Sequence, residues 1–526
     1  MISPMLWIIL AGPLALLALG LAPATDAAAI GRRATVAARL TLASALAMAA
    51  IIAMAGSLRT GGPPLGLALW FDGLTAVMFV LVSFVGSIVV TYSRNYMDGD
   101  PGHARFTRWL CFTLASVLLL IVSGNLVLFA LAWVMTSVGL NRLLLFYRDR
   151  PAAILAARKK FIASRIGDLC LVGAMVLLWQ VFGSLDFGVM FAGARGLAGG
   201  EAPGAITGAA TLMVIAALLK SAQFPLHGWL IEVMETPTPV SALLHAGIIN
   251  AGGFLLLRFS DVLVLSAPAL DLLAIVGGFT ALFGSVVMLT QSSIKVSLAW
   301  STIAQMGFMM LQCGLGAWPA ALLHLVAHSL YKAHAFLSSG SVIDIARASW
   351  SPSPGGQPHP ARMAIAVGLV LAMTLAAATL FGATPSRQPG VFALGSIMLL
   401  GLTHLIAQAI DERPNLFVIA RTLALTGIVA LAWFALQYGA ARLMADTLPE
   451  DAGGRGPLTL AIVAIVVLGF AAVTVLQSTL ARSGGSARGR ALHAHVANGF
   501  YVNTIANRLV LRLWPTAPRP APHTAR

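Results

Sequence analysis

Three titratable side chains recur at intervals of four along one apolar stretch: His324, His328 and Lys332. On a helix they fall within an arc of about 80° on one face, with His334 on another. Neutral imidazole both donates and accepts a hydrogen bond, so such a row suits proton hopping. The other reading is a hydrogen-bonded seam between packed helices. Lys220 stands equally deep in an apolar run. The chain contains 28 Arg and only 5 Lys, yet the two basic residues deepest in apolar runs, Lys220 and Lys332, are both lysines. Arginine does not release its proton in a protein, whereas a buried lysine can. Each lysine therefore fits a group that loads and unloads a proton, or else a fixed charge held by a carboxylate or by helix carbonyls.

The surroundings of Lys220, in LLKSAQFPLHGW, point to a broken helix. Pro225 has no N–H, so the carbonyl of Ser221 loses its helical partner. Interrupted membrane helices line ion or substrate pathways. Downstream, Thr238 is expected as a helix N-cap with Pro239 in the first turn. That start places His245 nearly two turns inside the next helix, as a packing residue or as a further relay group. Asp168 follows Arg165 by three positions in SRIGD and reads as half of a local ion pair. It is also a candidate counter-charge for Lys220, together with Glu232 and Glu235. His404 and Gln408, four apart, extend the same pattern into a later run.

These residues need elements that can hold them in an apolar medium. The 526-residue chain is 59% hydrophobic and 10% charged, with mean hydropathy +0.89. A soluble domain carries roughly 25% charged residues, so water is not the main solvent. Apolar runs span 5–23, 37–56, 68–92, 109–123, 126–146, 162–182, 205–222, 240–258, 268–290, 295–313, 318–343, 363–382, 392–410, 416–438 and 457–478. Backbone groups in lipid must be paired internally, so these runs predict helices. The fold class is an all-α polytopic membrane protein with about 13–15 transmembrane helices. The first run lacks a basic flank and reads as a span, not a cleaved signal.

The net charge of +15 and pI of 10.8 suggest a nucleic-acid partner only until the charges are placed. With the N-terminus outside, inward loops and the C-terminal tail hold 25 basic residues and outward segments hold six. This asymmetry follows the positive-inside rule, with N outside and C cytoplasmic, in a bacterial inner membrane. The partner so implied is membrane lipid, and no nucleic acid. Cys111, Cys170 and Cys313 stand alone in apolar runs with no metal-ligand spacing. No nucleotide-binding motif is present, which argues against nucleotide-driven pumping by this chain. Residues 349–362 and 482–490 read as flexible linkers. The tail 491–513 has helical periodicity, lying on the membrane surface or docking a soluble partner.

The stretches KSAQFPLHGWLIEVMETPTPVSALLHAG, IKVSLAWSTIAQMGFMM and HLVAHSLYKAHAFLSSGSVID resemble the antiporter-like subunits of respiratory complex I and of multisubunit cation/proton antiporters. The resemblance covers roughly residues 68–345 and implies two inverted five-helix repeats with protonatable residues along the membrane midplane. Matched by motif, Lys220 takes the place of the broken-helix lysine and His245 the neighbouring relay position. His324, His328 and Lys332 take the central relay. Two departures stand out. The family's Trp-Glu in the fifth span is here Trp133-Val134, and span 363–382 lacks the second broken-helix lysine. With the tail HVANGFYVNTIANRL, these departures resemble the membrane subunit of the DAB inorganic-carbon accumulation complexes. That resemblance implies a large cytoplasmic, zinc-containing, carbonic-anhydrase-like partner, no cofactor in this chain, and cation flow that drives CO2 hydration to bicarbonate.

The expected organisation is N-terminal helices in 1–107, a first repeat in 108–258, a second in 259–410, C-terminal helices in 411–480 and a basic tail in 481–526. The expected role is conduction of H+ (or Na+) along Lys220, His245, His324, His328 and Lys332, coupled to inorganic-carbon uptake by the partner, with no chemistry catalysed by this chain. The competing roles are an ion-exporting subunit of an antiporter, respiratory or hydrogenase complex, and a membrane scaffold with a vestigial relay.

Overall fold

The computed structural model describes residues 2–23, 26–59, 68–340, 359–410, 415–449, 456–483 and 486–515. Among the described residues each apolar run of the sequence is mainly helical, from Ile2–Leu21 to Pro457–Ser483, with 240–258 and 392–410 each divided between two helices. Eleven of the described helices are long and apolar enough to cross a bilayer, and the bent pair Pro389–Leu400 and Thr403–Ala409 makes twelve. Two shorter apolar helices, Ile9–Leu21 and Gly204–Lys220, accompany them. Helix Trp318–Leu337 is as long as a span but less apolar than those eleven, since His324, His328, Lys332 and His334 all lie on it. Among the described residues the only strands are Leu58–Arg59 and Trp70–Phe71, one short antiparallel pair.

Local chemistry sets many helix starts. Asp26 accepts from the N–H groups of Ala28 and Ala29, Asp72 from Thr75, and Asn125 from Val127. Each occupies an N-cap and satisfies backbone donors that have no partner inside the helix. Helices Ala267–Met288 and Ile294–Gly314 approach almost backbone to backbone. A Cβ on Gly277 would lie 2.5 Å from the amide nitrogen of Leu311 and 2.8 Å from the carbonyl of Gly307. Small residues at such crossings let membrane helices pack without a hydrophobic driving force between them.

Three expectations need correction. The run 240–258 is not one helix: Thr238–Ala246 ends at Gly247, a 3-10 turn covers Ile248–Asn250, and Ala251–Arg258 completes the span. His245 therefore sits beside a second helix break. Thr238 is not the N-cap; Pro237 is, and no side chain caps that start. In the sequence 482–490 a helix already begins at Ala487, capped by Ser486 on Gly489 N–H. Most of 349–362 lies outside the described residues, and its end belongs to helix Pro360–Leu380.

The first break follows Pro225 as its chemistry requires. Helix Gly204–Lys220 stops at the lysine, and the side-chain amide of Gln223 donates to the freed Ser221 carbonyl at 2.8 Å. The two breaks lie against each other because residue 252 is glycine. A Cβ there would meet the Ser221 hydroxyl and stand 2.6 Å from the Ala217 carbonyl. A related succession recurs later: Pro360–Leu380 ends in a turn, and the following pair Pro389–Leu400 and Thr403–Ala409 is bent by 44°.

Candidate functional site: two breaks and a histidine–lysine row

Lys220 is buried, and its ammonium donates to the hydroxyls of Thr136 (2.8 Å) and Ser137 (3.0 Å) and to the Trp133 carbonyl (3.2 Å). Its Nζ also stands 4.3 Å from the centre of the Trp133 ring. A cation over a desolvated indole face gains about 2 kcal/mol. All these groups come from helix Leu126–Leu144, which carries Val134 next to Trp133. Among the described residues, hydroxyls, a carbonyl and an aromatic face thus hold the lysine, with no carboxylate in contact.

The candidate counter-charges are placed differently. Glu232 forms its ion pair with Lys159 at 2.6 Å. Asp168 pairs with Arg165 at 2.6 Å and acts on Lys220 only through space, together with Lys160. The side chain of Glu235 lies outside the described residues.

The second cluster is continuous. Lys332 is fully buried, and its Nζ donates to the Leu298 carbonyl at 2.9 Å. The hydroxyl of Thr302 donates to the same carbonyl at 3.0 Å and contacts Nδ1 of His245 at 2.9 Å. The single hydroxyl hydrogen of Thr302 is committed to Leu298, so Nδ1 of His245 carries the proton and donates. In the neutral ring this leaves Nε2 as a bare lone pair, and it has no partner among the described residues. His245 stacks on Phe336 at 4.3 Å between ring centres, which fixes the plane of the ring. His324 and His328 lie 6.1 Å apart, and Nε2 of each is likewise buried and unpartnered among the described residues. The Lys332 charge acts on both His245 and His328. His334 is exposed on another face.

Uncharged residues join the two lysines. The Ser221 hydroxyl donates to the Ile249 carbonyl at 2.9 Å. Next in the chain, Asn250 donates to the Ser329 hydroxyl at 2.8 Å, adjacent to His328. Thr136, Ser137, Asn250, Thr302 and Ser329 escape a search for ionisable residues. Their only signal is polarity within apolar runs. His404 does not join this line; its ring is 3.5 Å from Gln477 in a separate packing cluster.

A buried ion pair anchors the start of this assembly. Arg258, at the end of the second broken helix, donates to both oxygens of Asp72 at 2.6 and 3.2 Å and to Thr75 at 2.6 Å. Trp70 Nε1 adds a further bond to Asp72 at 2.8 Å. Among the described residues no three His, Cys, Asp or Glu side chains converge as a metal-ligand set.

This architecture is that of an antiporter-like membrane subunit. The family model for the transmembrane region of NADH:quinone oxidoreductase and Mrp antiporter subunits matches residues 123–386, and the model for the N-terminus of complex I chain 5 matches 58–107. The chain is 44% identical over 465 residues to the "Probable inorganic carbon transporter subunit DabB2" of Halothiobacillus neapolitanus, covering 88% of this chain and 83% of that one. It is 37% identical over 455 residues to the DabB subunit of Hydrogenovibrio crunogenus, covering 84% and 83%. The Mrp complex of a Dietzia species has the same fold, with a TM-score of 0.65 at 24% identity over 97% of this chain and 59% of the other. The chain belongs to the DabB family of inorganic carbon transporter subunits, within the antiporter-like membrane subunits of complex I and Mrp assemblies.

Proposed function

We propose that this chain conducts protons, with Na+ as the less suited ion, through Lys220, His245, His324, His328 and Lys332. The flow is coupled to inorganic-carbon accumulation by a cytoplasmic, zinc-containing, carbonic-anhydrase-like partner. The observation that carries this reading is the hydrogen-bonded sequence from Lys332 through Leu298 and Thr302 to His245, which ends on a bare imidazole nitrogen. A proton arriving at Nε2 makes an imidazolium, and the same nitrogen gives it up again to restore the neutral ring, while the Leu298 carbonyl, which accepts from both Thr302 and Lys332, holds the ring and the lysine in place and passes no proton itself. Two features favour H+ over Na+. The groups are nitrogen bases, and hard cations select oxygen ligands.

The carbon-uptake assignment rests on the two DabB relatives, whose names describe inorganic carbon transport. Coupling requires that ion occupancy shift the partner between states of different affinity. The cytoplasmic face is the side of the basic loops and tail, with the N-terminus outside, in the bacterial inner membrane. Gentle purification of the tagged chain, with mass spectrometry and zinc analysis, tests this reading. A large soluble zinc protein at about equal stoichiometry is expected. Redox or antiporter subunits without zinc would place the chain in an ion-exporting complex instead.

A further inference from the structure

We propose that the chamber around His227 is the cytoplasmic mouth of the path to Lys220, and that the C-terminal turn Asn498–Tyr501 is its cover. This inference rests on the proton-conduction reading above.

His227 lies in the first helix break, seven positions after Lys220. It is fully buried, and neither ring nitrogen has a partner among the described residues. Three aromatic rings surround it: Phe224 at 5.9 Å, Phe283 at 5.4 Å and Trp300 at 5.2 Å between ring centres. A buried polar group without a partner costs about 1–3 kcal/mol, so a packing role alone would favour a phenyl ring at this place. An unpaired imidazole seven positions beyond Lys220, at the foot of the broken helix and facing aromatic walls, can take up and release a proton on the way between the cytoplasmic side and the lysine.

The tail closes this chamber. Gly499 packs on Trp300, where a Cβ would lie 3.2 Å from the ring, and Phe500 sits 6.2 Å from Phe283. Gly499, Phe500 and Tyr501 have φ of 55°, 50° and 63° in succession. Two consecutive non-glycine residues in the left-handed region are strained by roughly 1–2 kcal/mol each. The turn therefore stays in place through its anchors. On one side Gln291 donates to the Ala497 carbonyl at 3.1 Å.

On the other side the tail helix Val502–Leu513 reads an ion pair. Asn503 and Asn507, one helical turn apart, accept from Lys159 Nζ at 2.7 and 2.6 Å and donate to Glu232 Oε1 at 3.0 and 2.7 Å. Glu232 Oε2 stands 2.6 Å from the same Nζ as an ion pair, so the carboxylate, the ammonium and the two amides form one cluster. Gly228 makes room, since a Cβ there would strike the Asn503 amide. Glu232 ends the short helix that follows His227, so the latch holds the tail to the wall of the chamber itself.

The test uses the purified complex in proteoliposomes with a pH-sensitive dye and an imposed potential. His227→Phe keeps the aromatic volume and is expected to reduce proton flux at least about tenfold while the complex still assembles. Should His227→Phe not assemble, His227→Gln decides. With Asn503→Leu and Asn507→Leu combined, diethylpyrocarbonate should modify His227 faster, as read by peptide mass spectrometry. If Lys332→Ala abolishes flux and the His227 variants conduct normally, the mouth is elsewhere and the conduction reading stands. If neither Lys332→Ala nor the His227 variants lose flux, the conduction reading itself fails. Equal modification rates with and without the latch overturn the cover.

Discussion

Lys332 and Thr302 share one acceptor: both donate to the carbonyl of Leu298, at 2.9 and 3.0 Å. Thr302 thereby fixes the tautomer of His245 and links that ring to the lysine without touching either through a charge. Thr302→Val removes the link at nearly constant volume and leaves the buried Nδ1–H of His245 unpaired. Proton flux in proteoliposomes is expected to fall at least about tenfold, with a stability loss of about 1–3 kcal/mol. Thr302→Ser keeps the hydroxyl and should conduct.

Lys220 is held by two hydroxyls, a carbonyl and an indole face. Arginine would retain the charge and the cation–π contact but would not release a proton. Lys220→Arg and Lys220→Ala are therefore both expected to reduce flux to that of empty liposomes, while the complex still purifies. Normal conduction by Lys220→Arg would mean that the lysine is only a fixed charge.

The Arg258–Asp72 pair is fully desolvated, so removing one partner leaves an uncompensated buried charge. Arg258→Ala is expected to destabilise the protein by about 3–5 kcal/mol, read as a drop in Tm of the detergent-solubilised chain. Burial pushes the Asp72 carboxyl up, but the Arg258 charge and the hydrogen bonds from Arg258, Thr75 and Trp70 outweigh it and hold it below its ordinary value of 3.8. A carboxyl depressed in the folded state contributes stability that is full above its unfolded value and lost as pH falls through the folded one. The pair's contribution should thus be present in full and independent of pH near neutrality, and thermal stability should decline below about pH 4. In Asp72→Asn that acid decline should be smaller.

Gly252 lets the two helix breaks touch. Gly252→Val would force the side chain into Ser221 and the Ala217 carbonyl. Overpacking of this kind costs about 1–3 kcal/mol and should also separate Ser221 from Ile249. Flux reduced at unchanged assembly, with faster hydrogen exchange across 217–224, is the expected outcome.

The helices and both lysines were legible in the sequence because hydropathy and ionisable groups in apolar runs are strong local signals. The break at Pro225 was legible for the same reason: a missing N–H is a local fact. The break after His245 was not, because Gly247 carries no obligatory consequence and the geometry depends on packing against Ala217 and Ser221. The counter-charge was misjudged for Glu232. Its partner Lys159 lies far away in sequence, and the two asparagines that bridge the pair belong to the tail. Sequence proximity suggested Lys220, whereas Thr136 and Ser137 from another helix supply the contacts that hold it. Hydroxyls and amides such as Thr302, Asn250 and Ser329 acquire meaning only when the fold sets them beside a histidine or a lysine.

The central claim is that the row on helix Trp318–Leu337 carries protons. Its most direct test is potential-driven acidification of proteoliposomes containing the purified complex, comparing the unaltered chain with Lys332→Ala. Flux in the unaltered complex that disappears in the variant, at equal incorporation and with the partner still bound, is the expected result. Equal flux in the two preparations, or none in either, would contradict it.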